Sequence, residues 1–434
     1  MSSRRRRLLR SLLPLMLLTV GSAYALASWN WCGRWTERAP VVLGQVRTEG
    51  PLRAGAAKVP LAPPYPVVVA GYRPPRPEAS QADAVLQARA VVVAVGEVKV
   101  GLVSLELLLV PEDLVARVRE RTAGLGLQEV VVVATHAHSS FGGYDARWVS
   151  QLAGTGRFRK DALEAAVAGA TEALRQASAR LTEVSLEVGE ARDAVLVRSR
   201  AGGEIPDGAL TRVVLRSAEG PVAELLHFAA HPTVVPRDRP LLDPDWPGRL
   251  SLLREERGGV VLVLQGTVGN VSMSYGEGEG AELALSFARA VSDLAERAVP
   301  AAAESTRLAF ARVEVALPRP DASRLVPSYS RAAGDNFLCA SSSRTTEVGA
   351  LVLGPLELVL VPGEPTVGAG AALVRRTGGT GVLGLADGYV GYVETPAKVE
   401  EGAGEARRQY FGPTLLDRLG TGAELAARTA GFTP

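Results

Sequence analysis

Four histidines occur in 434 residues, and they fall in two pairs. His136 and His138 lie in VVVVATHAHSSFGGYD; His227 and His231 lie in LLHFAAHPT. Each pair stands behind an apolar run. A short unbroken β-branched run reads as a strand buried on both faces, and in α/β sheets ligands collect outside the carboxyl ends of such strands. Imidazoles two residues apart project to one side while strand geometry lasts. Three more apolar runs end in polar clusters: VVLVLQ before Gly266, LELVLVPG before Glu364 and VLGLADGYVG before Tyr392. If these strands share one sheet, their ends converge on one rim. Two imidazoles, a carboxylate and a phenol there suit a borderline divalent ion, zinc above all, with a position left for water. Each residue also has a purely structural reading. His136 and His231 would bond the backbone, Glu364 would serve the start of a helix, and Tyr392 would pack with its hydroxyl tied off. Tyrosine is an uncommon ligand, and spacing alone does not select it. His227 reads as structural.

Six stretches carry a family resemblance: THAHS, HFAAHPT, DWPG, LQGTVGNVS, PGEPT and GYVGY. In this order, from about residue 55 to about residue 415, the chain resembles the catalytic domain of the neutral/alkaline non-lysosomal ceramidases. The resemblance implies a zinc amidohydrolase with His136, His231, Glu364 and Tyr392 on the metal. It implies that His138 shuttles protons or steadies an oxyanion, the alternative being to orient His136. Arg198, in LVRSR, would hold a substrate oxygen, with a surface salt bridge as the alternative. Ser272, in GNVS, falls where the family places a nucleophile or substrate contact. With metal-activated water no serine nucleophile is needed, so substrate hydrogen bonding is the expectation. The family's THTHSGP is THAHSSF here and its GDVSPN is GNVSMS, with Asn270 replacing Asp. Its usual His-Asp-Pro near the N-terminus is Ala82-Asp83-Ala84. Amide hydrolysis is therefore better supported than ceramide as the substrate. A non-ceramide cell-envelope amide or ester, and a non-catalytic metal-stabilised surface domain, stand as alternatives.

Composition sets the remaining bounds. Hydrophobic residues make up 47% and charged residues 22%, which provides ample core for one large domain. Net charge is +2, and only four of the 48 basic residues are lysine. No basic block interleaved with aromatics follows the N-terminus, so a nucleic-acid partner is not expected. Arg4 to Arg7 and Arg10 precede an apolar stretch, Ser11 to Ala27, that ends in small residues. This reads as a signal peptide or N-terminal membrane anchor over 1–29, hence an exported protein near a membrane surface. Two cysteines, Cys32 and Cys339, leave a disulfide open.

The periodicity predicts one α/β domain over 52–434, a central mixed sheet flanked by helices, after a linker at 30–51. Hairpins are expected around Gly96, Gly220 and Gly354, and long helices over 160–180 and 279–299. A loop at 318–346 is the only candidate for a hinge or lid. Phe141, Trp148 and Phe337 are candidates for an apolar mouth suited to a lipid amide. No repeat at a fixed period is visible.

Overall fold

The computed structural model describes residues 16, 18–22, 24 and 32–433, so the expected signal or anchor at 1–29 lies largely outside them. The α/β class holds, but the β-structure is divided among three five-stranded sheets, with three two-stranded pairs beside them, rather than gathered in one. Each sheet is built by the same succession of elements. Leu52–Pro60 is followed by the hairpin Gln87–Val95 and Val98–Leu105, helix Glu112–Thr122, strand Glu129–Ala134 and helix Lys160–Ser178. Ser185–Arg192 begins the second round: hairpin Ala209–Ser217 and Gly220–Phe228, helix Asp245–Glu255, strand Val260–Gln265, helix Ala281–Arg297. Leu308–Ala316 begins the third: hairpin Thr345–Leu353 and Leu356–Leu360, helix Val367–Thr377, strand Gly381–Leu383, helix Leu415–Ala430.

In every round the three leading strands are antiparallel and the fourth joins parallel to the third. A parallel partner needs a long crossover, and the intervening helix supplies it. The alternating faces of the strands explain the packing. Val91, Val93 and Val95 point inward to a core shared by all three sheets, with Leu225, Leu262, Phe310 and Leu358. Ala88, Ala90 and Val92 point outward and are covered by the helices of 112–122 and 160–178. The second and third sheets are covered in the same way by their own helix pairs. Both faces of each sheet are thus dry, as the unbroken valine runs require. Truncating a buried leucine of the shared core, Leu225, Leu262 or Leu358, to Ala would cost about 2–5 kcal/mol.

Two expectations are corrected. Part of the 30–51 segment is not linker: Val41–Thr48 pairs antiparallel with Leu308–Ala316 and closes the third sheet. The 318–346 stretch is not a free loop either. It contains the helix Arg331–Ser341, and Cys339 on that helix is bonded to Cys32. The side chain of Asp335 also accepts the Ala322 amide at 2.7 Å, and Asp321 N donates to Tyr410 O (2.9 Å), so the segment is folded on itself and tied to the rest of the chain.

Candidate metal centre

The fourth strands of the rounds are edge strands, and the three edges meet. Gly384 N donates to Gln265 O (2.9 Å), Ala134 N to Leu385 O (3.2 Å), and Asp387 N to Val132 O (2.9 Å). The loops that follow the third and fourth strands of the rounds are therefore gathered at one place, though the strands belong to different sheets. The first round contributes His136 and His138, the second His231, and the third Glu364 and Tyr392. Gln265, fully buried, couples two of the loops: its Nε2 donates to Thr135 O (2.9 Å) and Ala230 O (3.3 Å).

The three imidazoles are held in one tautomer. His136 Nδ1–H donates to Leu108 O (2.7 Å), His138 Nδ1–H to Gly71 O (2.9 Å) and His231 Nδ1–H to Val271 O (3.1 Å). Each Nε2 is then a lone pair, and all three point to the same spot. His136 Nε2 lies 3.3 Å from both His231 Nε2 and His138 Nε2. Glu364 Oε2 lies 3.2 Å from the Nε2 atoms of His136 and His231. Glu364 Oε2 is buried with no hydrogen-bond donor. Four acceptors facing one another in a dry site repel unless a cation sits between them, and imidazole with carboxylate is a donor set for a divalent transition ion. The residues fit such an ion. A backbone carbonyl behind each of these histidines is the kind of support that fixes ring orientation in metal sites.

Electrostatics points the same way. Burial holds the His138 pKa well below its ordinary value, aided by the neighbouring His136 and His231. Burial pushes His231 down to about 4. Burial opposes ionisation of Glu364, and positive charge at His136 or His231, the place a bound cation would take, holds its carboxyl well below the usual range. Neutral imidazoles beside a carboxylate are what metal binding requires.

Tyr392 OH lies 3.2 Å from His231 Nε2, at the edge of the cluster. Ser272 forms an isolated bridge with His231, and Arg198 stands directly opposite Ser272 in a short antiparallel pair. Arg198 is exposed, its Nε on Met273 O (3.3 Å), so it sits on the rim rather than at the metal cluster. His227 lies apart and bonds Val382 O (2.8 Å). Phe141 is fully buried against Tyr144 and lines no mouth; Trp148 is 64% exposed and Phe337 39%.

Three contributors do not stand out in the sequence. Arg200 Nη2 donates to Tyr392 OH while its Nε is held by Glu405 Oε1 (2.9 Å). It lies just past the short strand Val197–Ser199, and its partners are distant in sequence, so spacing does not reveal it. Tyr389 OH donates to Glu364 Oε1 (2.5 Å) and leaves Oε2 for the centre. Gly71, at φ +93°, approaches so closely that a Cβ there would lie 2.7 Å from His138.

Fold and centre together define a class: a three-sheet α/β protein with a buried His/Glu/Tyr cluster fitted to a divalent cation. Residues 62–202 match the family model described as neutral/alkaline non-lysosomal ceramidase, N-terminal. Among solved structures, a ceramidase complexed with C2 superposes with TM-score 0.73 at 20% identity, over 87% of this chain and 75% of that one. The neutral ceramidase from Pseudomonas aeruginosa gives TM-score 0.72 at 20% identity, over 88% and 74%. No curated protein sequence matches the chain. The resemblance read from the sequence is thereby borne out: residues 62–202 carry the neutral/alkaline ceramidase pattern, and most of the chain carries the fold.

Proposed function

We propose that this protein is an exported zinc-dependent amidohydrolase that cleaves the N-acyl bond of a lipid amide of the ceramide type. The observation that carries the reading is the convergence of three imidazole lone pairs and the orphaned Glu364 oxygen on one buried point. His136, His231, Glu364 and Tyr392 would hold the ion. When bound, it supplies Lewis-acid activation of water and of the acyl carbonyl. His138, the half-buried member, has its Nδ1 proton committed to Gly71 O, so its Nε2 is ready to accept a proton. It takes the proton of the attacking water and delivers it to the amide nitrogen as the C–N bond breaks. A neutral ring in this tautomer has no Nε2–H to give an oxyanion, which favours the shuttle over the oxyanion donor. Ser272, paired with His231, and Arg198 opposite it would hold the polar part of the substrate.

The change to Asn270 gives no support to the non-catalytic alternative. Its Nδ2 donates to Glu204 Oε2 (2.7 Å) and its Oδ1 accepts Val367 N (3.0 Å). An aspartate would face Glu204 as a like charge; Asn270 is matched to this chain's own Glu204. The Cys32–Cys339 disulfide supports export, since such bonds persist in oxidising compartments.

The test is metal analysis with a panel of N-acyl substrates. Stoichiometric zinc is expected, with hydrolysis of long-chain lipid amides abolished by chelation and restored by zinc. Equal cleavage of small polar amides, with no gain from acyl length, would favour the cell-envelope substrate instead. The two arginines are expected to separate in kinetics. Arg200→Ala should lower kcat about ten- to a hundredfold with the metal retained, because it removes a charged hydrogen bond to Tyr392. Arg198→Ala should act mainly on KM.

A further inference from the structure

Four exposed large apolar side chains lie on elements that neighbour one another in sequence or in space. Trp148 is 64% exposed, Leu152 56%, Tyr329 90% and Phe337 39%. Trp148 and Leu152 belong to consecutive short helices, and Trp148–Ser150 packs against Arg331–Ser341, which carries Phe337 just after Tyr329. Isolated exposed apolar residues are ordinary, but a group of aromatics on neighbouring elements marks an interaction surface.

This face is fastened to the metal cluster from two sides. Arg147, next to Trp148, donates to Tyr389 O (2.7 Å), and Tyr389 holds Glu364. Arg76 donates to Leu152 O (2.8 Å) and to Tyr72 O, and the Tyr72 ring lies 5.3 Å from that of His138.

The covalent path of the chain identifies the occupant. Cys32 is bonded to Cys339, two residues beyond Phe337 on the same helix. Arg344 Nη2 holds Cys32 O (3.0 Å), and Trp35 Nε1 donates to Leu317 O (2.6 Å). The start of the domain is thus pinned beside the apolar face. Only a few residues before it in sequence lies the apolar stretch Ser11 to Ala27, preceded by Arg4 to Arg7. Wherever that stretch meets lipid, the tether presents the helix Arg331–Ser341 and its neighbours to the same surface. Aromatic rings with polar edges suit the headgroup boundary. No described helix is long and apolar enough to cross a membrane, and docking on the surface needs none.

We propose that the surface formed by Trp148, Leu152, Tyr329 and Phe337, joined to the metal cluster through Arg147 and Arg76, docks on a lipid bilayer. The proposal stands apart from the hydrolase reading, because it is tested by binding without substrate. The full chain is mixed with phosphatidylcholine/phosphatidylglycerol vesicles and backbone hydrogen exchange is followed. Slowed exchange is expected over 148–155 and 328–341, with no change around the exposed Val195, Ile205 and Val299. The double substitution Trp148→Ser with Phe337→Ser should abolish that slowing and lower vesicle affinity at least about tenfold, while the zinc content stays unchanged. Binding with unchanged exchange in both segments would show that the N-terminal stretch alone holds the protein, and would overturn the proposal. So would absence of binding, or concentration-dependent protection without lipid, which would assign the face to a second copy of the chain.

Discussion

His231→Ala is expected to lose bound metal, by at least about a hundredfold in affinity, and all detectable hydrolysis, while its fold persists. Changing the carbonyl partner of a ligating histidine typically costs 10–100-fold in metal affinity. Removing the ligand itself should cost more. The residue lies beyond the end of Gly220–Phe228 and is not among the apolar side chains of the shared core. In the metal-free protein the substitution removes one of four mutually repelling acceptors, so the metal-free melting temperature should hold or rise. His136→Ala should lose metal to the same degree with an added stability cost. His136 sits at φ +70°, a conformation costing about 1 kcal/mol or more in a non-glycine residue, and its bond to Leu108 O helps to hold it there. His136→Asn, which tolerates that backbone better, separates strain from ligation: stability should recover while metal stays lost. Metal analysis and thermal melting with and without zinc check both variants. Stoichiometric zinc retained by both would overturn the site.

How far the sequence reached is clear from particular elements. The hairpins around Gly96, Gly220 and Gly354 were legible because valine and leucine runs flank a turn residue. The helices over 160–178 and 281–297 were legible from their apolar stripe. The three-fold repetition of the strand order was not. Each round keeps its order of elements but not its loop lengths, and continuous apolar runs look alike whichever sheet they enter. For the same reason the strand ends seemed to need a common sheet to converge. They converge instead because three parallel edge strands meet, a relation carried by backbone bonds such as Gly384 N to Gln265 O that leave no residue pattern. The histidine pairs stood out by rarity and position. Tyr392 came from the resemblance, and its hydroxyl lies beside His231. Tyr389, Gly71 and the Leu108 carbonyl act through contacts across the chain, which spacing does not encode. Phe141 shows the limit of composition: an aromatic in a Ser/Gly-rich turn reads as surface, yet it is wholly buried. The helix Arg331–Ser341 was hidden by Gly334 and the polar residues around it, and its place is fixed by a disulfide to Cys32, hundreds of residues away.

His138→Ala should keep its zinc and lose about 10²–10⁴ in kcat, the usual range for a general acid–base group. The geometry makes this separation from the other histidines sharp. His136 and His231 are shielded from solvent, whereas His138 is only half-buried. Its ring is fixed between Gly71 O and the Tyr72 ring, so Nε2 stays aimed at the reacting centre. Burial keeps its pKa low, so the ring is neutral at pH 7 and can take a proton from water without first losing one. Gly71→Ala tests the positioning without removing the imidazole. A Cβ there would lie 2.7 Å from His138 and must push the ring aside, so kcat should fall while the metal stays. Ser272→Ala should cost less than either, about tenfold, since a single neutral hydrogen bond to substrate contributes roughly 0.5–1.5 kcal/mol. The readouts are kcat, KM and zinc content for each variant, with mass spectrometry of the wild type during turnover. Zinc lost together with activity in His138→Ala would make His138 a ligand. An acyl group trapped on Ser272 would replace water by serine as the attacking group.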